Sequence, residues 1–179
     1  MIKIFLEKLT KIKIYKDYLF YDNMKIINHE NEEKIRRKYE FFDVTADIGF
    51  WAYGKTLEES FENAALAMFN VITKTDSVAE NESKKITLEA EDLSLLLYEF
   101  LEELLFIYEV DLFLFSKFEL KIKKEKTDNQ DVFKLEALAT GEKINWNKHY
   151  RGSEVKAITF HLMDVFKSDI FKVRVILDL

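Results

Sequence analysis

Two stretches of the chain repeat their apolar residues at helical spacing. Leu57 begins the first, whose apolar residues recur at intervals of three and four as far as Ile72. Thr56 and Glu59 form a capping box at its start. The second stretch, residues 93–110, is rich in Leu, Phe and Tyr and follows an acidic first turn. We expect two main helices, the second buried around most of its circumference and therefore central.

Elsewhere apolar and polar residues alternate, which predicts half-buried strands. The predicted strands cover residues 39–42, 48–53, 85–90, 118–123, 133–137, 155–161 and 171–177. Turns at 127–130 and 168–169 make hairpins, while residues 73–83 and the segment after Gly141 are predicted loops. This order predicts an α+β fold in a single domain, with antiparallel β-sheets built from hairpins and the two helices packed on them.

Composition restricts the chemistry. The 179 residues are 48% hydrophobic, which suits one domain with its own core. The absence of Cys excludes disulfides, thiolate metal sites and Cys nucleophiles, and only three His argue against zinc. Four Glu within residues 93–110 exclude a membrane span there, and no signal-peptide-like run begins the chain. We therefore expect a cytoplasmic protein with no membrane partner.

Residues 1–38 differ from the rest of the chain. They carry ten Lys/Arg and six Asp/Glu, a net charge of +4. Because the whole chain has a net charge of −6, residues 39–179 carry −10. This N-terminal extension is either a basic arm for a partner or RNA, or, as we favour, a poorly ordered appendage. Met24 could also be the true start, which would make the first 23 residues an annotation artefact. A main domain at −10 argues against direct, tight nucleic-acid binding, although a local basic patch is compatible with it.

Two acidic places could form one site. Asp43 and Asp47 flank a short link before the strand from Ile48, and Asp178 adjoins the carboxylate of Leu179 at the end of the last strand. Asp residues in such links usually cap turns. If the last strand lies beside Asp47, however, three acidic groups converge, and hard oxygen ligands of this kind suit Ca²⁺ or Mg²⁺. We expect Asp47 to belong to the site and Asp43 to be structural.

Other polar residues give weaker indications. Lys156 lies in an apolar strand, either on its solvent face or held for an anion, and His161 is either a catalytic base or a structural hydrogen-bonding residue. His149 and Arg151 could bind phosphate, or could belong to a solvated loop. The sequence contains no Gly-rich phosphate loop, Gly-x-Ser-x-Gly elbow or His-Glu-x-x-His motif. These absences argue against an enzyme with its own active site.

Several motifs follow one another along the chain: Asp43-Val44-Thr45-Ala46-Asp47-Ile48-Gly49, the Tyr53-Gly54-x-Thr56-Leu57-Glu58-Glu59-x-Phe61 turn, residues 64–69, 100–105, Gly141-Glu142, Lys148-His149, residues 154–161 and the terminal Asp178-Leu179. Taken in this order, they resemble the archease family. The resemblance covers residues 39–179 and leaves residues 1–38 outside it. One position departs from the family, since Val44 stands where the family usually has His. Any role of that His therefore does not transfer.

The resemblance implies a function. Archeases are non-catalytic partners of the tRNA-splicing RNA ligase; they promote its guanylylation, allow multiple turnover and can broaden its nucleotide use. The family binds a divalent cation, Ca²⁺ in structures, which implies Asp47, Asp178 and the Leu179 carboxylate as metal ligands here. Asp43, Lys156 and His161 are candidates for partner contacts or for positions around those ligands.

Two other functions remain open from the sequence. One is a metal-dependent, chaperone-like module acting on other RNA-processing proteins. The other is a small hydrolase using His161 with Asp47, for which the sequence offers no nucleophile.

Overall fold

The computed structural model describes residues 24, 26–45, 47–127 and 130–179. The chain divides into two compact units, Met1–Arg36 and Arg37–Leu179. Residues 26–37 form a helix, α1, most of whose side chains are exposed. The prediction of a poorly ordered extension falls, for residues 1–23, outside the described residues.

The second unit contains seven strands and two long helices among its described residues. In chain order they are β1 (Tyr39–Val44), β2 (Asp47–Gly54), α2 (Leu57–Ile72), β3 (Glu82–Ala90), α3 (Leu93–Asp111), β4 (Phe113–Thr127), β5 (Gln130–Lys143), β6 (Ala157–Lys167) and β7 (Phe171–Asp178), with a short 3₁₀ turn at Thr75–Ser77. The strands form two antiparallel sheets, ordered β1-β2-β7-β6 and β3-β5-β4. This arrangement confirms the α+β prediction.

Helix α2 is largely buried and packs against strands of both sheets. Its first turn is fixed by the predicted cap: Thr56 Oγ1 accepts from the Glu59 amide at 3.1 Å, and Glu59 Oε2 accepts from the Lys55 amide at 2.7 Å. Phe61, Met68 and Phe69 are fully buried along its length. Burying large apolar side chains drives the docking of α2 between the sheets.

The prediction that α3 is buried around most of its circumference is wrong. Its buried residues are Leu96, Leu97, Phe100, Leu101, Leu104 and Leu105, which lie on one face. The opposite face carries the Glu residues together with Phe106 and Val110, which are 57% and 62% exposed. Because charged side chains recur between the apolar ones, only one side of α3 can enter the core.

Strands β4 and β5 are longer than predicted and meet in register from Phe113–Lys143 to Thr127–Gln130, with one irregularity between Phe115 and Lys117. Strand β6 begins two residues later than predicted, and its pairing with β7 is interrupted between Thr159 and Asp164. Within this interruption Leu162 adopts a left-handed conformation, φ 58°. In the described part of the chain, no helix is long and apolar enough to cross a membrane.

Candidate functional site

One row of residues crosses the four-stranded sheet at the end where β7 finishes. Val44 pairs with Asp47, Asp47 pairs with Asp178, and Asp178 pairs with Ala157. Register partners on antiparallel strands have Cα atoms about 4.5–5.5 Å apart and point to the same face. The backbone therefore places the side chains of Asp47 and Asp178 next to each other on the outer face of the sheet, the face away from α2 and α3.

The chain end is held beside this pair by Lys156. Its amide donates to the main-chain oxygen of Asp178 at 2.9 Å, and its ammonium group donates to the main-chain oxygen of Leu179 at 2.7 Å. The positive charge of Lys156 therefore lies at the end of the chain. Lys156 is exposed, just before β6 begins, and both sequence-based interpretations of it stay predictions.

The inner side of the same strand ends is anchored in the core. Ile48 pairs with Leu177, and Leu177 is fully buried while Ile48 packs against the core cluster. Because alternate residues of a strand point to opposite faces, these two apolar neighbours fix Asp47 and Asp178 on the outer face.

Asp43 and His161 lie outside this row. Asp43 pairs with Ile48, so it belongs to the opposite face of the strand from Asp47. His161 is exposed within the irregular part of β6, between Thr159, which pairs with Ile176, and Asp164, which pairs with Arg174. The row therefore contains Asp47 but not His161, the residue that the hydrolase alternative pairs with it.

The donor chemistry of the row fits a hard divalent cation. Two side-chain carboxylates and the carboxylate of Leu179 are anionic oxygen ligands, which Ca²⁺ and Mg²⁺ prefer. Within the residues that the structure describes, no cluster of three or more Asp, Glu or His side chains is arranged to hold a metal. A cation at this row would consequently depend on Leu179 as well as on the two Asp side chains.

Comparison with known proteins shows which family the chain is similar to. The model of the Archease protein family matches residues 39–179. The protein archease of Methanothermobacter thermautotrophicus is 51% identical over 142 residues, 79% of this chain and 98% of that protein. The chain belongs to the archease family. The archease of Pyrococcus abyssi is 46% identical over 73% of this chain and 89% of its own length.

A solved structure agrees with this assignment. The solution structure of Methanobacterium thermoautotrophicum protein 1598 superposes with a TM-score of 0.66 at 48% identity, covering 79% of this chain and 99% of that one. The sequence-based prediction of an archease is confirmed, as is the fold class.

The archease motifs Gly141-Glu142 and Lys148-His149 meet in one polar cluster whose role the sequence did not indicate. Glu142 accepts from the Ala79 amide at 2.7 Å, from the Lys148 ammonium group, and from His149 Nε2 at 3.0 Å. These hydrogen bonds lower the pKa of Glu142 to about 2. The bond from Lys148 has the largest effect and the bond from the Ala79 amide the next largest. His149 is buried, and its Nδ1 accepts from the Asn145 amide at 3.1 Å. Both ring nitrogens are hydrogen-bonded within the protein, so His149 helps to hold this loop.

An open cavity of about 630 Å³ lies at the C-terminal ends of α2 and α3, apart from the acidic row. Arg151 stacks over Trp146 there, 5.4 Å from the ring centroid, and Glu109 and Glu154 line the same space. Burial, followed by the charge of Glu154, raises the pKa of Tyr108 on its wall. None of the row residues lines this cavity.

Proposed function

We propose that this archease is a non-catalytic cofactor of the tRNA-splicing RNA ligase, promoting guanylylation and multiple turnover of the ligase during tRNA splicing. It acts through a divalent cation, Ca²⁺, held by Asp47, Asp178 and the carboxylate of Leu179. The observation that carries the proposal is the register pairing of Asp47 with Asp178 in a member of the archease family. Such a role is consistent with that family.

The ligand set suggests how the site cooperates with a partner. Ca²⁺ takes about six to eight oxygen ligands, so three groups from this chain leave several positions for other oxygens. Phosphoryl transfer depends on positive charge placed beside the phosphate groups, and a divalent cation bound here would supply such a charge. Lys156 orients the chain end and supplies a second positive charge at the same place.

Two features support a protein partner and a non-catalytic role. The net charge of −10 over residues 39–179 suits contact with a protein better than tight contact with tRNA. His161, the one base that the sequence offered for hydrolysis, lies outside the row, in the irregular part of β6. We place the interaction in the cytoplasm, where the ligase is expected to act.

The decisive experiment is a guanylylation assay with the cognate ligase. Asp47→Asn and Asp178→Asn keep the side-chain shape, remove a charged ligand, and should abolish both stimulation and Ca²⁺ binding measured by calorimetry. Asp169→Asn is the matched control, because this exposed acid lies in the β6–β7 turn of the same sheet. Full stimulation by folded Asp47→Asn and Asp178→Asn variants would refute the proposal.

A second experiment examines Leu179. Adding two residues after Leu179 moves the terminal carboxylate away from the row, whereas the same two residues added before Met1 do not. We expect the C-terminal extension alone to weaken Ca²⁺ binding and stimulation. Equal stimulation by both extended chains would remove Leu179 from the ligand set.

The chaperone-like alternative predicts a different set of partners. Affinity purification from native extract should retain the RNA ligase as the main partner if the proposal holds. Retention of several other RNA-processing proteins in similar amounts, with no enrichment of the ligase, would favour the alternative.

A further inference from the structure

The C-terminal end of α3 exposes apolar side chains beside the cavity described above. Phe106 and Val110 lie one turn apart on the helix, Leu112 follows its last residue, and all three side chains are more exposed than buried. Leu112 also lines the cavity, as does Glu109, which lies three residues from Phe106 on the helix surface. The apolar rim formed by Phe106, Val110 and Leu112 is therefore continuous with the cavity.

Leu112 has a backbone conformation that leucine rarely adopts. Its φ of 52° and ψ of 53° lie in the left-handed region, where helices commonly place Gly or Asn as they end. The Ile144 amide donates to the main-chain oxygen of Leu112 at 2.8 Å, which holds this backbone in place. The side chain is 61% exposed, so burial does little to offset the strain. Folding would be served better by Asn, and an exposed leucine at this position indicates a role in binding.

The surface around the rim is acidic. Glu99 and Glu103 precede Phe106 at helical spacing on α3, and Glu109 and Glu154 line the cavity. In the described part of the chain, none of these four carboxylates forms an ion pair. The acids beside the rim are therefore available to a basic partner.

Arg151 supplies the positive charge on the cavity lining but does not reverse its acidic character. Its guanidinium is held over the Trp146 ring, and the two carboxylates of Glu109 and Glu154 with this one cation leave a net charge of −1 on the lining. An apolar rim beside an acidic cavity is complementary to a segment whose apolar side chains are flanked by Lys or Arg.

The cavity adjoins the acidic row along the chain. Glu154 lines the cavity, and Lys156, two residues later, donates to the main-chain oxygen of Leu179. Two residues of chain span at most about 7 Å. A protein–protein interface of ordinary size buries about 800 Å² on each partner, a patch about 30 Å across. One partner can therefore cover the row and the cavity together.

We propose that the rim and the cavity, here called the docking surface, bind an amphipathic, basic segment of the RNA ligase. Apolar side chains of that segment pack on Phe106, Val110 and Leu112, and a Lys or Arg side chain enters the cavity toward Glu109 and Glu154. This inference rests on the proposed function, since it names the surface that holds the ligase while the row acts on it.

Other occupants fit the docking surface less well. A nucleic acid would bring phosphates to unpaired carboxylates, which repel them. A second copy of this chain, placed face to face, would set Glu103 and Glu109 against the same residues of its partner. A basic segment instead neutralises these acids while it covers the apolar rim.

The experiment measures the affinity of the full chain for the cognate ligase by biolayer interferometry, with Ca²⁺ present. Leu112→Asn removes the apolar side chain and suits the left-handed backbone. It should weaken ligase binding about tenfold, while the unfolding temperature stays the same or rises. Leu162→Asn is the matched control, because Leu162 is also exposed and left-handed, with φ 58°, but lies on β6. This variant should bind the ligase as the unchanged chain does.

A second pair of variants tests the charge of the docking surface. Glu109→Gln/Glu154→Gln should weaken ligase binding about tenfold and reduce its dependence on salt between about 50 mM and about 200 mM. Glu91→Gln/Glu136→Gln removes the same charge from two exposed acids elsewhere and should change neither property. Ca²⁺ binding measured by calorimetry should be the same in every variant, because none of the substituted residues belongs to the row.

The outcomes separate this inference from the proposed function. If the unchanged chain binds and stimulates the ligase but Leu112→Asn and Glu109→Gln/Glu154→Gln bind it equally well, the docking surface is wrong and the proposed function stands. An equal loss of affinity in Leu162→Asn would also overturn the docking surface. If the unchanged chain does not bind the ligase, both fall. Self-association in sedimentation velocity that Leu112→Asn abolishes would show that a second copy covers this surface instead.

Discussion

Val44 belongs to the row and stands where we expect the archease family to have His. It pairs with Asp47 across the β1–β2 turn, so a side chain there lies next to the Asp47–Asp178 pair. Valine offers no ligand atom, so the proposed site would have oxygen donors only. That donor set favours hard cations over zinc, because zinc prefers nitrogen and sulfur ligands.

Val44→His should therefore change metal preference. An imidazole beside two carboxylates makes a nitrogen–oxygen site, and we expect Zn²⁺ affinity to rise about tenfold while Ca²⁺ affinity stays nearly the same. Calorimetric titration of both metals measures this difference. Thr45→His adds the same side chain one position away, outside the row, and an equal gain in that variant would contradict the geometry of the site.

Glu142 should control part of the dependence of stability on pH. The folded protein lowers its pKa from 4.5 to about 2, so its contribution is fully present above pH 4.5 and is lost as the pH falls toward 2. Glu142→Gln lacks this contribution. We expect the free energy of unfolding of the variant to lie below that of the unchanged chain at pH 7, with the gap narrowing below pH 4.5.

Urea denaturation at several pH values tests this expectation. Glu136→Gln is the control, because Glu136 is an exposed acid on the same strand. A gap for Glu142→Gln that stays constant between pH 7 and pH 3 would show that the carboxylate charge is not the cause.

At the scale of elements, the contact between β4 and β5 depends on Gly141. A Cβ at this position would lie 1.8 Å from the main-chain oxygen of Leu114, and backbone atoms cannot move aside as a side chain can. Gly141→Ala should cost on the order of 3 kcal/mol in the free energy of unfolding. Gly49→Ala should cost less, because the Phe42 ring that it meets can rotate away. Urea denaturation of both variants compares them, and a smaller loss for Gly141→Ala would contradict this account.

The elements differed in how well local sequence predicted them. Helix α2 was predicted within its observed bounds because its cap and apolar spacing are local signals. Strand β6 was placed only approximately, since a left-handed residue at Leu162 interrupts its pairing and no glycine marks it. The exposed face of α3 was missed because Phe106 and Val110 look like core residues until packing shows them in solvent.

The candidate site, too, could be predicted only in part from local sequence. Asp47 and Asp178 could be selected from the sequence as acids at strand ends, but their register depends on pairing between β2 and β7, which lie far apart in the chain. Lys156 at the chain end and the cluster around Glu142 depend on similar long-range contacts. The family resemblance supplied what local pattern could not.

At the scale of the whole molecule, the archease domain should act without the N-terminal extension. The family model begins at residue 39 and the second compact unit begins at Arg37. The main-chain oxygen of Lys38 accepts from the Tyr53 amide at 2.8 Å, so Lys38 contributes to holding β2 beside the start of β1. A chain starting at Arg37 should unfold at the same temperature as residues 37–179 do in the full chain and should stimulate the ligase equally.

A chain starting at Glu40 is the sharper comparison. It loses the Lys38 oxygen, the Arg37–Glu40 ion pair and Tyr39, which packs against the core. Removing Tyr39 also takes away one of the register pairs that join β1 to β2. We expect this shorter chain to be less stable by about 2 kcal/mol in urea denaturation, chiefly because one partly buried aromatic side chain is lost. Equal stability of the two truncated chains would place the start of the domain later than Lys38. Loss of ligase stimulation in both chains would show that residues 1–36 contribute to the function.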